Sequence, residues 1–299
     1  MKMPQTLSEW RARGQFVRLL GRTVFAVDAG PRAAEPILLL HGFPTSSFDF
    51  HLALARLADG RRVIAHDHLG FGFSDKPTDY SYSLHEQADV ALMIWQKLGV
   101  TRGHLIAHDY GTSIATELLA RRERGLCPVE ILSLTLTNGS VHRELAHLQP
   151  SQRILQHKSW GPLFARLANK LIFRLQIRRI LGDGASVSDE ELDGMWAGIR
   201  HDDGHLRLPE ISSYLDERIR FRERWIGSLT RFDRPAHVLW GHQDPIAVPL
   251  MAETITAEIP TAKLTWLKDL GHYPMLERPS EWADAAAGFL DRAAESRRK

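Results

Sequence analysis

The stretch Ala107-His108-Asp109-Tyr110-Gly111 carries the clearest chemistry in the chain. An apolar run, Leu105-Ile106-Ala107, enters it and a helix-forming segment leaves it. Small residues two positions before and after the aspartate permit a sharp, strained turn that lifts the central side chain out of the backbone. That is the geometry of a nucleophile elbow, here with a carboxylate at its tip. The N-terminus of the helix behind it offers free backbone N–H groups and the positive end of a dipole. A carboxylate so placed attacks saturated carbon and gives an alkyl ester, which persists until water reaches its carbonyl.

The elements that must hold Asp109 are readable from periodicity. Phe16 to Leu20 and Thr23 to Val27 read as a hairpin turned at Gly21. Ile37 to Leu40, Val63 to Ala65, His104 to Ala107, Ile131 to Leu136, Ala236 to Trp240 and Ala262 to Trp266 read as further strands. Several are apolar on both faces, as buried parallel strands are. Helices are expected from Ser83 to Gly99, over Ser113 to Ala120, and from Glu281 to Ala294. Strands alternating with helices predict an α/β fold with a mostly parallel sheet covered on both faces. From about 140 to 228 the alternation stops and only helical periodicity remains. The expected organisation is therefore a core of residues 1–139 and 229–299 with a helical cap, 140–228, inserted between its halves.

Further motifs sit on this frame: His41-Gly42-Phe43-Pro44, the loop Asp67 to Asp75, Asp244-Pro245 and Gly271-His272-Tyr273-Pro274. With the elbow they make the chain resemble, over nearly its whole length, an α/β-hydrolase of the epoxide hydrolase and haloalkane dehalogenase group. Within that group it is most similar to the mesoderm-specific-transcript type, through His108 to Gly111 and the segment Met195 to Arg200. The resemblance implies Asp109 as nucleophile, His272 as the base that activates water, and Asp244 as the acid that orients it. It also implies the backbone N–H groups of Phe43 and Tyr110 as oxyanion donors. Asn138-Gly139, at the end of the preceding strand, offers no carboxylate for the acid's role.

The leaving group decides between two activities. Relatives that open epoxides use two tyrosines of the cap as donors; Tyr214 stands near the second, and His157 lies in the neighbourhood of the absent first. A phenol suits donation to an alkoxide. Dehalogenases cradle a halide with an indole beside the nucleophile and commonly an asparagine, where this chain has Tyr110 and Phe43. A cap tryptophan (Trp160, Trp196 or Trp225) keeps halide release open. The expectation is an epoxide hydrolase needing no cofactor, with His157, Trp160 and Trp196 lining the substrate pocket. Haloalkane dehalogenation and a catalytically idle binding protein are the alternatives.

Composition excludes other classes. The 299 residues are 43 % hydrophobic with a net charge of +2, giving no basic field for nucleic acid. Cys127 is the single cysteine, so no disulfide scaffold exists within the chain, and a reduced, cytoplasmic setting is expected. No apolar run approaches the roughly 20 residues of a membrane span. None of the 15 histidines falls into a helical His-x-x-x-His pattern with a third ligand near, so no metal is expected. Phosphate-loop and dinucleotide glycine patterns are absent. The expected partners are a small apolar electrophile and water; a homodimer is left open. Arg166, Lys170, Arg174 and Arg178 recur every fourth residue beside Leu167, Leu171 and Leu175. The stripe reads as the wet face of a cap helix, with docking on an anionic membrane surface as the alternative.

Overall fold

The computed structural model describes residues 3–298. Eight strands form one sheet in the order β1-β2-β4-β3-β5-β6-β7-β8. They are β1 Gly14–Leu19, β2 Arg22–Ala29, β3 Pro36–Leu40, β4 Arg62–His66, β5 Arg102–His108, β6 Glu130–Thr137, β7 Ala236–Gly241 and β8 Ala262–Leu267. β1 and β2 make the expected hairpin, β2 runs antiparallel to β4, and every later pairing is parallel. β3, β4 and β7 are buried at every position, which is why their centres, Ile37 to Leu40, Val63 to Ala65 and Val238 to Trp240, are apolar without alternation.

The helices Leu84–Lys97, Tyr110–Glu123 and Pro279–Arg298 cover the sheet where periodicity predicts them. Ser83 caps the first by accepting the His85 N–H. A helix that periodicity did not reveal, Gln5–Arg13, buries Leu7 and Trp10; the Trp10 indole donates to the Ser47 hydroxyl at 3.3 Å.

Between Thr137 and Ala236 the described residues contain helices and no strand. The last of these helices, Arg222–Thr230, crosses the boundary expected at 228, so the insertion rejoins the sheet only after Thr230. It is fastened to the elbow helix Tyr110–Glu123 through Glu117, whose buried carboxylate accepts from Arg224, the Trp225 indole and Arg121.

Candidate active site

β5 ends at His108 and the helix begins at Tyr110, leaving Asp109 alone in the turn with φ 41° and ψ −107°. A non-glycine residue at positive φ is strained and is held there by its surroundings. Two close approaches do the holding. A Cβ on Gly111 would stand 2.6 Å from the Leu40 carbonyl oxygen, so only glycine lets the helix start this near β3. A Cβ on Gly42 would meet the His108 ring at 2.8 Å and the Asp109 Cβ at 3.0 Å, so the Gly42 loop also lies hard against the turn.

That loop delivers the Phe43 N–H, which donates to Asp109 Oδ2 at 3.0 Å. Tyr110, as the first helical residue, has an N–H with no partner inside the helix. On the opposite side stands Arg218, on the insertion helix Tyr214–Arg220 and only 2 % exposed. Its Nε donates to Ser113 Oγ at 2.8 Å and its Nη2 to the Asp109 carbonyl oxygen at 3.3 Å. The same Nη2 lies 3.9 Å from Asp109 Oδ1. A buried guanidinium is costly unless an anion compensates it, and Asp109 is the carboxylate with which Arg218 pairs.

His272 follows β8 and Asp244 follows β7, both in buried turns. The imidazole Nδ1–H donates to Asp244 Oδ2 at 2.7 Å. The Ile246 and Ala247 N–H groups donate to Asp244 Oδ1 at 2.8 and 3.1 Å. Asn138, at the end of β6, completes the clamp. Its amide nitrogen donates to Asp244 Oδ2 at 2.8 Å while its Oδ1 accepts the Gly241 N–H at 2.9 Å. Glu277 fixes the His272 loop by accepting from the Gly271, Tyr273 and Gly182 N–H groups. Burial alone pushes the His272 imidazole toward the neutral form. The charge and hydrogen bond of Asp244 outweigh it, with Asp109 and Glu277 adding to the effect, and hold its pKa up at about 9.

Tyr214 is fully buried, its ring 5.6 Å from that of Phe43, 5.0 Å from that of Tyr110, and 4.5 Å from the Arg218 guanidinium carbon. Its hydroxyl makes no hydrogen bond of full geometry among the described residues; the nearest polar group acting on it is the Gln152 side chain. Burial and the Asp109 charge raise its pKa, keeping the phenol protonated. A cavity of about 190 Å³ opens beside these groups, walled by Phe43, Trp196, Ile199, Leu208, Ile246 and His272 among others. His272 and Phe43 line it, whereas Asp109, 3 % exposed, and Tyr214, 1 % exposed, are not among its lining residues.

Thus the fold gathers Asp109, Asp244, His272, Tyr214, Phe43, Tyr110 and Trp196. It does not bring in His157 and Trp160, which the sequence analysis placed in the pocket. Gly161 and Ala165 form the buried side of the helix Trp160–Leu167, so Trp160 falls on the outer stripe with Leu163 and Leu167 and is 60 % exposed. His157 is also exposed; its Nδ1 accepts the Ser159 and Trp160 N–H groups at 3.3 Å each. Trp225 is unavailable as a donor because its indole N–H is bonded to Glu117. Sequence reasoning missed Arg218 and read Asn138 only as a missing carboxylate. The one signal for Arg218 is its place four residues after Tyr214, on the face of a helix whose other buried residues are Tyr214 and Leu215.

Comparison with known proteins agrees with this architecture. A family described as the alpha/beta hydrolase fold matches residues 35–279. LipZ of Mycobacterium tuberculosis, which carries the name of a hydrolase, is 38 % identical over 286 residues, covering 95 % of this chain and 98 % of LipZ. The human mesoderm-specific transcript homolog protein is 35 % identical over 299 residues, covering 97 % and 89 %. The structure of haloalkane dehalogenase DbeA from Bradyrhizobium elkani superposes with a TM-score of 0.81 at 21 % identity, covering 95 % and 99 %. With the family match running from residue 35 to residue 279 and these relatives aligned over nearly the whole chain, the chain belongs to the α/β-hydrolase fold family.

Proposed function

We propose that this hydrolase opens small apolar epoxides to vicinal diols through an ester on Asp109. The observation that carries the reading is Tyr214, its hydroxyl buried and protonated within the field of Asp109 and near the Gln152 side chain, its ring against Arg218. The helical insertion between β6 and β7 serves as the cap, and the apolar cavity beneath it excludes bulk water from the reacting groups.

In the first step an Asp109 oxygen bonds to a ring carbon, the carbon–oxygen bond breaks, and the emerging alkoxide takes the Tyr214 proton. The negative charge passes from the carboxylate to the phenolate, and Arg218 stands beside both. In the second step His272, which gives its resting proton to solvent once Asp109 is esterified, takes a proton from water, whose oxygen attacks the ester carbonyl. The tetrahedral oxyanion faces the Phe43 and Tyr110 N–H groups, each such donor contributing about 3 kcal/mol to the barrier. Collapse transfers the His272 proton to the departing diol oxygen and leaves Asp109 as a carboxylic acid, whose proton restores Tyr214.

Halide release is less well served. Tyr110 and Phe43 present rings, Trp160 points outward and Trp225 is engaged, which leaves Trp196 as the remaining cap indole at the cavity. The reading is tested by offering epoxides and short bromoalkanes side by side and measuring diol and halide separately. A single turnover of an epoxide in ¹⁸O-water should place the label in the Asp109 peptide and not in the diol. Halide without diol, or label found directly in the first-turnover diol, overturns it.

A further inference from the structure

The helices Trp160–Leu167 and Lys170–Arg178 show the solvent an unusual face. Leu167 and Leu171 are 68 % and 67 % exposed, and Trp160, Leu163, Ile172 and Leu175 are exposed with them. Of the basic stripe, Arg166 is exposed as expected, whereas its three later members lean toward a neighbouring helix. Lys170 and Arg174 pair with Asp193, and Arg178 with Asp189, on the neighbouring helix Asp189–Arg200. The leucines that accompany those cations are thereby left pointing outward. Isolated exposed apolar residues need no explanation, but a contiguous patch of this kind marks a binding surface.

Charge identifies what it binds. From residue 145 to residue 182 the chain has seven Lys and Arg side chains and no Asp or Glu. Three of the seven make the pairs just described. Among the described residues, Arg153, Lys158, Arg166 and Arg179 have no ion-pair partner, and all four are exposed. Arg179 stands one helical turn beyond the exposed Leu175, and Arg166 adjoins Leu167 and lies one turn from Leu163, so both flank the apolar stripe.

The patch is also continuous with the cavity. Phe164 and Leu167 line both the outer groove below Trp160 and the cavity that ends at His272, and Ile172 forms part of the cavity's other side. A second copy of this chain fits poorly, because a two-fold contact sets the same four cations against themselves. A surface rich in anionic headgroups meets the cations, receives the leucines and the indole, and opens directly onto the cavity.

We propose that this face docks reversibly on anionic lipid bilayers and admits membrane-dissolved substrate through the gap between the two helices. The proposal does not rest on the epoxide reading, since its test requires no turnover. The intact protein is mixed with vesicles of phosphatidylcholine alone, or with 30 % phosphatidylglycerol, and sedimented. Binding is expected to the anionic vesicles, weakening with salt, and much less to the neutral ones. Arg166→Gln and Arg179→Gln should each lower the partition coefficient about fivefold. The double variant Leu167→Ser and Leu171→Ser should abolish binding with an unchanged circular dichroism spectrum, because both side chains are in solvent. Equal binding of wild type and the leucine variant, or no binding to anionic vesicles, overturns the proposal. So does a dimer in sedimentation velocity that the leucine variant dissolves, which would assign the patch to a second copy.

Discussion

Replacing Asp244 with asparagine tests the arrangement that holds His272. The carboxylate receives four donors: Ile246 and Ala247 N–H on Oδ1, and Asn138 Nδ2–H and His272 Nδ1–H on Oδ2. An asparagine must turn its NH₂ toward one of these pairs, so either orientation sets donor against donor. Asn138 cannot easily flip to help, because its Oδ1 holds the Gly241 N–H. The lost charge is worth about 4 kcal/mol at an effective dielectric of 20 and a separation of about 4 Å. The imidazolium formed during ester hydrolysis loses that support, so the hydrolysis step should slow by roughly 10³-fold. The attack by Asp109 needs no base and should change far less. The ester then accumulates: intact-mass spectrometry after mixing with styrene oxide should show one added epoxide per chain, on the Asp109 peptide. The folded protein should report the same change. The imidazole's raised pKa of about 9 contributes stability that is fully present below its unfolded value near 6.5 and lost as pH rises through about 9. That amounts to about 3 kcal/mol in wild type, read by urea denaturation between pH 6 and 10, and should vanish in D244N. Turnover within tenfold of wild type, without adduct and with the alkaline loss intact, would refute the argument.

Four other outcomes follow from the same geometry. Arg218→Met removes the cation beside Asp109 and Tyr214 and should lower the rate of adduct formation by about 10²–10³-fold in stopped-flow, leaving hydrolysis of a formed ester less affected. Tyr214→Phe should slow epoxide opening by about 10²-fold or more while bromoalkanes, which need no proton, lose less; equal losses would show that the hydroxyl is not the donor. Glu117→Gln breaks the buried group of Arg121, Arg224, His85 and the Trp225 indole and should destabilise the fold by about 3–5 kcal/mol in chemical denaturation. Burial opposes ionisation of Glu117, but these donors outweigh it and lower its pKa; its stabilisation is present above the unfolded carboxyl range and lost as pH falls, so the wild-type acid transition should lie below that of the variant. Finally, once Asp109 is esterified one of the charges that raises the His272 pKa is gone. Single-turnover ester hydrolysis should therefore show its acidic limb, where the rate rises as His272 deprotonates, at a pH below 9, lower than the His272 titration of the free enzyme followed by NMR.

The sheet was readable because its central strands are buried on both faces, so Ile37 to Leu40 and Val63 to Ala65 are apolar without interruption. The elbow was readable because steric demands leave a local signature, Ala107 and Gly111 around Asp109. Asp244 and His272 could be placed because each ends a strand. What escaped depends on contacts between segments far apart in sequence. Arg218 stands in Asp216-Glu217-Arg218-Ile219-Arg220, which reads as ordinary solvated helix, and only its packing against Ser113 and Asp109 distinguishes it. Asn138 matters through partners more than 100 residues away. The basic stripe was legible only in part for the same reason: Arg166 faces solvent as expected, but the pairing of Lys170, Arg174 and Arg178 with Asp189 and Asp193 is set by the neighbouring helix.

Arg218 and His272 change roles when Asp109 changes charge, and this links the two halves of the proposed reaction. At rest two carboxylates, Asp109 and Asp244, face two cations, Arg218 and protonated His272, in a site from which water is largely removed. Uncompensated charge there is expensive, so the four compensate one another. An ester on Asp109 removes one negative charge. Arg218 has a fixed charge and must take a new anion, which is the oxygen that has just left carbon or the phenolate that gave it a proton. His272 has a movable charge and can release it, which makes it a base at the moment when water must be activated. Fixed and titratable cations on opposite sides of one carboxylate therefore separate leaving-group stabilisation from water activation in time, without any movement of the backbone.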